Sequence, residues 1–348
     1  MKMPPVGPEG GAFFFQPSDQ GFELSIRERV ARFREARLEA MIEPDISNPL
    51  SIEAGPAAEK TSDESSGGWL ERTLGSRGEQ LGRIRERLLE LACISRQSLV
   101  LDLQGRTGLL AFEACRRAPE GGVWVLAHDD RAFATLQSLA KTLSTLAQPQ
   151  IIRTDFSRFD RDLAVAAGAK VRFNAIVGRN VLTYERNKKA LIERVLAFLH
   201  PDGVAACAEV VPSEGQRISN LTESWKMDPD LKTILSDAET ALFSDKNDPL
   251  VSFTSATLGN EIAAIPGVTV VTTVQNDSPG RRISPQEIDF WFRISDRKGR
   301  LSLGDRVLAL ADLEKYTALK TFLHRKLDYQ EVCWKTVTLF IKLFKIKK

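Results

Sequence analysis

The stretch Ser98-Leu99-Val100-Leu101-Asp102-Leu103-Gln104-Gly105-Arg106-Thr107-Gly108-Leu109-Leu110 decides the fold that we expect for this chain. Its apolar run around Val100 predicts a strand that is buried on both faces, as in a parallel sheet. Residues 109–117 predict the helix that follows. The turn between strand and helix faces a helix N-terminus, where open parallel sheets bind their ligands. The stretch therefore predicts a pocket for an anionic or carboxylate-bearing ligand.

Further apolar runs, separated by helical patterns, extend the predicted sheet. After residue 213 the pattern becomes mainly helical, and the last run alternates as an antiparallel strand does. We expect an α/β sheet of seven mostly parallel strands with the last strand antiparallel. Beyond the first strand, the predicted strands are 123–127, 150–153, 173–178, 204–211, 268–274 and 337–343.

The same stretch resembles the first motif of class I S-adenosylmethionine (SAM) methyltransferases, which usually reads Asp-x-Gly-x-Gly-x-Gly. Asp102 and Gly108 match its first and last positions, Gln104 and Arg106 replace its two earlier glycines, and Gly105 is out of phase. The resemblance implies a Rossmann-like methyltransferase sheet with these five residues as candidate SAM contacts. Side chains in place of glycine would fill space next to the cofactor. For Asp102, a cofactor contact and a partner for the loop amides remain equally open.

Three more candidate cofactor residues follow later strands. The resemblance implies an acid at the end of the second strand to hold the ribose, but Ala127 stands there. Asp129 either reaches the ribose from a shifted loop or caps the next helix. Asp155 either contacts the adenine amino group or caps a helix, and Asn180 either bonds a ligand or ties its turn. His128 has no partner at metal-ligand spacing, and we predict neither a catalytic residue nor a metal site.

A turn and an acid mark the fifth strand. His200-Pro201-Asp202-Gly203 resembles the Leu-x-Pro-Gly-Gly turn that leads into this strand in class I methyltransferases. Glu209 lies near the end of the strand. It either faces a methyl acceptor or makes a salt bridge at the sheet edge.

An amphipathic helix is predicted near the N-terminus, with Ser18 or Asp19 as its cap. One helix cannot bury an apolar stripe alone. It must dock on its own domain or on another protein, and both alternatives stay open. The stripe consists of Phe22, Ile26, Val30, Phe33, Leu38 and Met41.

The residues Phe-Phe-Gln-Pro-Ser-Asp-Gln-Gly-Phe-Glu, 14–23, and Ile-Arg-Glu-Arg, 26–29, resemble the C-terminal end of the replication-associated recombination ATPases of the RarA group. In cyanobacterial-type fusions that ATPase is followed by a methyltransferase-like domain, and the opening of this domain resembles Trp69-Leu70-Glu71-Arg72-Thr73-Leu74-Gly75. The resemblance covers 12–41 and 69–343. It implies that the chain is the C-terminal part of such a fusion. Because no Gly-x-x-x-x-Gly-Lys-[Ser/Thr] loop occurs, we expect no ATP site.

Three regions follow from this organisation. Residues 1–42 form an N-terminal extension. Residues 43–68, rich in Pro, Ser, Glu, Ala and Gly, predict a flexible linker. Residues 69–348 form the methyltransferase-like domain, with a core over 98–211 and additions over 212–348.

Composition narrows the function classes. The 348 residues are 43% apolar and 27% charged with a net charge of +2, which argues against nucleic-acid binding by bulk attraction. Four cysteines without close spacing suggest neither a disulfide framework nor a zinc site. With no apolar run of membrane-spanning length, we expect a cytoplasmic protein without membrane contact.

Two hypotheses about function remain. In the first, the chain is a noncatalytic methyltransferase-like module that serves a RarA-type ATPase in DNA replication and recombination, and contacts DNA only through that partner. In the second, it is an active SAM-dependent methyltransferase of unknown acceptor.

Overall fold

Seven strands form one sheet in the order β3-β2-β1-β4-β5-β9-β6. The computed structural model describes residues 22–42, 48, 50, 67–295 and 300–346. Strands β1 to β5 pair in parallel, and β9 lies antiparallel between β5 and β6. The predicted methyltransferase-like sheet is confirmed. The strands are β1 Leu99–Asp102, β2 Gly122–Ala127, β3 Gln150–Arg153, β4 Phe173–Arg179, β5 Leu199–Val210, β6 Val268–Asp277, β7 Gly280–Arg282, β8 Glu331–Cys333 and β9 Thr336–Lys345.

The helices cover both faces of the sheet and build the C-terminal addition. They are α1 Phe22–Ile42, α2 Gly67–Leu91, α3 Ala111–Arg117, α4 Asp130–Ala140, α5 Phe159–Ala167, α6 Lys188–Leu196, α7 Ile218–Leu221, α8 Pro229–Phe243, α9 Ser255–Ala263, α10 Pro285–Trp291, α11 Leu303–Leu308 and α12 Leu313–Leu327.

The central strands are buried on both faces, as their unbroken apolar runs predict. Successive residues of a strand point to opposite faces, and Val100 and Leu101 of β1 accordingly belong to two different apolar clusters. In β4, Ile176 joins the cluster of Leu101, and Val177 joins that of Val100. Such a sheet leaves its strand ends as the place where polar side chains can meet.

Four of the helices that follow β5, namely α8, α10, α11 and α12, build most of a third apolar cluster. Leu50, from the predicted linker, belongs to this cluster and is 6% exposed. Asn48 is fully buried, and its Nδ2 donates to Glu287 Oε1 at 2.7 Å. The predicted flexible linker is therefore held in place at two positions.

Helix α2 begins earlier than the sequence pattern indicates. The pattern predicts a helix from about residue 79, whereas α2 starts at Gly67 and continues through Gly75 and Gly78. Gly78 lies against α1, where a Cβ would contact the Arg37 backbone at 3.4 Å. Within the described ranges, no helix is long and apolar enough to span a membrane.

Candidate functional site

The loop between β1 and α3 lies against the chain's own strands. The amide of Gly105 donates to the Leu126 carbonyl of β2 at 2.9 Å, and the amide of Leu103 donates to Val177 of β4 at 2.8 Å. A Cβ on Gly105 would lie 2.1 Å from Val125 Cγ2. A side chain at position 105 would collide with β2, so the glycine lets the loop pack closely against the sheet. Further along, Gly108 has a φ of +84°, a conformation that favours glycine.

Asp102, at the end of β1, bonds to this loop. It is 1% exposed, and its Oδ1 accepts from the Gln104 amide at 3.1 Å. Burial, aided by the nearby charge of Glu39, raises the pKa of Asp102 to about 7, against hydrogen bonds from the Gln104 and Ala111 amides. Of the two roles left open for Asp102, the structure shows the contact with the loop amides.

Gln104 bridges the β1 loop to the end of β4. With its amide oriented so that both ends are paired, it donates to the carbonyls of Asn180 at 3.0 Å and Arg179 at 3.2 Å. Its oxygen accepts from Arg106 Nη2 at 2.9 Å. Gln104 therefore spans the space between the loop and β4, and Arg106 bonds to it from within the loop.

Asn180 ties its own turn. It has a φ of +54°, which asparagine adopts more readily than most residues. Its Oδ1 accepts from the Val210 backbone amide at 3.0 Å, and its own backbone amide donates to the Ala208 carbonyl at 2.9 Å. Both bonds join the β4 turn to β5.

The residues after β2 make local contacts. Asp129 is the N-cap of α4 and accepts from the Ala132 amide at 2.7 Å. His128 Nε2 lies 2.7 Å from the Leu103 carbonyl, and its ring lies 4.1 Å from that of Phe156. Burial lowers the pKa of His128, so its ring is neutral at pH 7. His128 thus fastens the β1 loop to the end of β2.

Asp155 also bonds within its own turn. Its Oδ1 accepts from the Ser157 amide at 2.9 Å, and its Oδ2 lies 3.3 Å from Arg158 Nε. The hydrogen bond from the Ser157 hydroxyl lowers the pKa of Asp155. With 48% of its side chain exposed, Asp155 stands at the surface and is ionised.

Sequence reasoning missed Glu39, which α1 places at this end of the sheet. Its Oε1 accepts from Arg179 Nη2 at 2.8 Å, and its Oε2 accepts from the Thr107 hydroxyl. Glu39 is 4% exposed, and Thr107 is fully buried. Helix α1 therefore docks on its own domain and inserts a carboxylate between the β1 loop and β4.

The docked face of α1 differs from the predicted apolar stripe. Ala36 and Ala40 are buried, whereas Phe33 is 46% and Met41 is 53% exposed. The side chains of Phe22 and Ile26, and the predicted caps Ser18 and Asp19, lie outside the described residues. At these two positions the predicted stripe does not face its own domain, and the alternative that it meets another protein stays a prediction. The only sequence signal for the true face is the pair of alanines that flanks Glu39.

Charge pairs hold the remainder of α1. Arg116 of α3 makes two bonds to the Glu35 carboxylate, at 2.9 and 2.6 Å. Arg32 Nε donates to Glu113 of α3 at 2.8 Å. Burial opposes ionisation of Glu113, but hydrogen bonds from Arg32 and Arg116 lower its pKa to about 2. Carboxylate–guanidinium pairs thus join α1 to α3, with the Glu113 carboxylate buried and the Arg32 side chain 34% exposed.

Glu209 takes neither of its two predicted roles. It is fully buried, and it accepts from the amides of Val181, Leu182 and Thr183, each at 3.0 Å, and from the Thr183 hydroxyl at 2.8 Å. Burial raises the pKa of Glu209 to about 7, against these hydrogen bonds and the charge of Lys188. Its carboxyl group shapes the segment after β4 and faces no cleft.

We name the contacts of Glu39, Gln104 and Gly105 the closure contacts. They join the β1 loop to α1, β4 and β2. Side chains of the chain thus join the β1 loop to α1 and β4 at the end of the sheet where the resemblance implies a cofactor. In the part of the chain that the structure describes, no group of three His, Cys, Asp or Glu residues could hold a metal ion.

The chain is similar, at low sequence identity, to several solved structures. No family model matches the chain, and no curated protein matches it. Mycolic acid cyclopropane synthase CmaA1, complexed with SAH and CTAB, is 14% identical with a TM-score of 0.44 over 89% of this chain and 98% of its own. Coclaurine N-methyltransferase, bound to N-methylheliamine and SAH, is 10% identical with a TM-score of 0.42 over 91% and 87%. TrmN from Thermus thermophilus is 22% identical with a TM-score of 0.31 over 36% and 37%.

Proposed function

We propose that this chain is a noncatalytic, cytoplasmic module with a methyltransferase fold, which serves a partner protein by binding it. The observation that carries the proposal is the Glu39 carboxylate, which α1 buries against Thr107 and Arg179 at the ligand end of the sheet. A working cofactor site keeps this end open to its ligand. Here the chain's own residues occupy it.

The closure contacts also oppose SAM energetically. A hydrogen bond to a charged group contributes about 1.5–3 kcal/mol. Opening the site breaks the bonds of Glu39 to Arg179 and Thr107, and those of Gln104 to the β4 carbonyls. Each ~1.4 kcal/mol lost weakens binding about tenfold. Several such losses raise the dissociation constant for SAM far above the micromolar range.

We expect no saturable SAM binding by the full chain at concentrations up to about 1 mM, where binding corresponds to only about 4 kcal/mol. Isothermal titration calorimetry measures this directly. Micromolar binding that Asp102→Ala abolishes would instead establish the alternative, an active SAM-dependent methyltransferase. The strand order and the position of Asp102 at the end of β1 support that alternative.

We further propose that the partner is a RarA-type ATPase, through which the module reaches DNA in replication and recombination. The resemblance of residues 12–41 to the end of that ATPase supports this pairing. So do Phe33 and Met41, two large apolar side chains that stay exposed on α1 after the helix has docked. Exposed apolar surface of this kind suits a protein partner.

The expected result is co-elution of the purified chain with a RarA-type ATPase in size-exclusion chromatography. Changing both Phe33 and Met41 to glutamate is expected to abolish co-elution, because charges then replace the apolar surface. Val165→Glu is the matched control, since Val165 is 82% exposed on α5 and outside this surface. Separate elution of the unmodified proteins would contradict the partner proposal.

A further inference from the structure

The Glu39 carboxylate occupies a site that the core of the domain forms. Arg179 stands at the end of β4, and Thr107 lies in the β1–α3 loop. Their side chains converge on the two oxygens of one carboxylate. Arg179 is 9% exposed and Thr107 is fully buried, so the cation and the hydroxyl are held in fixed positions. Buried donors of this kind bind a carboxylate without first being ordered.

Helix α1 contributes little apolar packing to this arrangement. Its buried alanines, Ala36 and Ala40, form a small cluster with only Leu81 and Leu109. None of the described α1 residues belongs to the three large apolar clusters of the domain. In the described part of α1, the buried apolar side chains therefore pack on α2 and the β1–α3 loop, outside the three large clusters.

The charge pairs that hold α1 are costly to break only while one buried partner is left unpaired. Burying a carboxylate and a guanidinium removes water from both, and this penalty offsets most of the attraction between them. A free carboxylate that takes the place of Glu39 keeps Arg179 and Thr107 paired, so this exchange leaves no buried charge without a partner. A helix held in this way can exchange with a competing ligand.

We propose that Thr107 and Arg179 form a binding site for a small-molecule carboxylate, and that α1 fills this site in cis with Glu39. Free ligand and α1 then compete, so ligand binding releases the helix. The inference rests on the proposed function, since it concerns the same closed end of the sheet. It adds that the closure by α1 is reversible and names the ligand chemistry.

The test uses acetate as the probe and the full chain with Glu39→Ala, which leaves the carboxylate position open. We expect this variant to bind acetate saturably, with a dissociation constant of about 10 mM. The unmodified chain is expected to bind acetate at least about tenfold more weakly, because Glu39 competes. Nuclear magnetic resonance titration at constant ionic strength, with chloride as the matched anion, measures both constants.

Three further variants separate the site from general effects. Glu28→Ala changes an exposed glutamate of the same helix, and we expect it to bind acetate as the unmodified chain does. Adding Arg179→Gln to Glu39→Ala is expected to remove acetate binding. Glu39→Gln keeps the side-chain volume, and we expect an intermediate dissociation constant. This variant also preserves the test if Glu39→Ala does not fold.

Hydrogen exchange reports the release of the helix. In Glu39→Ala, the α1 amides are expected to exchange faster than in the unmodified chain, whereas Glu28→Ala leaves them unchanged.

The proposal is overturned if acetate has no saturable effect on either Glu39 variant, if chloride acts equally, or if the effect survives Arg179→Gln. A peptide of residues 22–42 is the second arm. If only the peptide binds Glu39→Ala, the site takes a protein carboxylate, and the small-molecule proposal is wrong. SAM binding by the unmodified chain would instead contradict the proposed function alone.

Discussion

Replacing Glu113 by glutamine is expected to lower the free energy of unfolding by about 3 kcal/mol, as breaking a buried ion pair does. Glu113 has 2% of its side chain exposed and accepts from Arg32, Arg116 and Arg117. Glutamine keeps the volume but leaves these guanidinium groups facing a neutral amide. Because Arg32 lies on α1, we also expect faster hydrogen exchange of the α1 amides. Urea denaturation measures the first effect.

The matched control is Glu120→Gln. Glu120 pairs with Arg96 on the exposed surface at 2.7 Å, where an ion pair adds little stability. No measurable change is expected. Equal losses in the two variants, or a Glu113→Gln protein as stable as the unmodified chain, would show that the pairs between α1 and α3 do not stabilise the fold.

The free energy that Glu113 contributes to folding is expected to decrease as the pH falls. The pKa of Glu113 is about 2 in the folded chain against its ordinary value of 4.5. A lowered carboxyl pKa stabilises the fold fully above the ordinary value, and this stabilisation is lost as pH falls through 4.5 towards 2. The difference in stability between the unmodified chain and Glu113→Gln should therefore shrink between pH 6 and about pH 3.

The sheet was predictable because its signals are local. The apolar runs of β1 and β4 indicate strands that are buried on both faces, and β3 has the predicted bounds, Gln150–Arg153. The cap formed by Asp129 was one of two interpretations of a short polar residue before a helix. The alternating run before the C-terminus predicted β9 and its direction. Periodicity and short-range polar chemistry explain all of these successes.

The candidate site was less predictable because its partners lie far apart in the sequence. Glu39 meets Thr107 at a separation of 68 residues and Arg179 at 140. Nothing near Glu39 identifies these partners. Hydrophobic periodicity predicted a stripe that includes Phe33 and Met41. In the structure the buried face of α1 instead carries the alanines and lies against Gly78. The association with a RarA-type ATPase stays a prediction from resemblance.

Gln104 and Arg106 were correctly singled out as departures from a glycine motif. The sequence predicted bulk in the loop, but it could not say which way that bulk points. In the structure Gln104 bonds to the carbonyls of β4, and Arg106 bonds to Gln104. The loss of glycine therefore adds bonds as well as volume. This pair of effects makes the closure a part of the fold.

Replacing Glu209 by valine is expected to lower the free energy of unfolding by at least about 4 kcal/mol, the largest effect that we predict. Glu209 is fully buried and receives hydrogen bonds from the amides of Val181, Leu182 and Thr183. Valine would leave these donors without an acceptor, and each unsatisfied buried donor costs about 1–3 kcal/mol. Thermal and urea denaturation both measure the loss.

Glu209→Gln provides the graded comparison. One oxygen remains to accept from Leu182 and Thr183, but the new amide group faces the Val181 amide, so two donors oppose each other. We expect a loss of about 2 kcal/mol, roughly that of one unsatisfied donor. Glu193→Gln, at an exposed position on α6, is the control and should be neutral. If Glu209→Val were tolerated as well as the control, the carboxyl group would not be structural. Its role as a base toward an acceptor, and with it the catalytic alternative, would then have to be reconsidered.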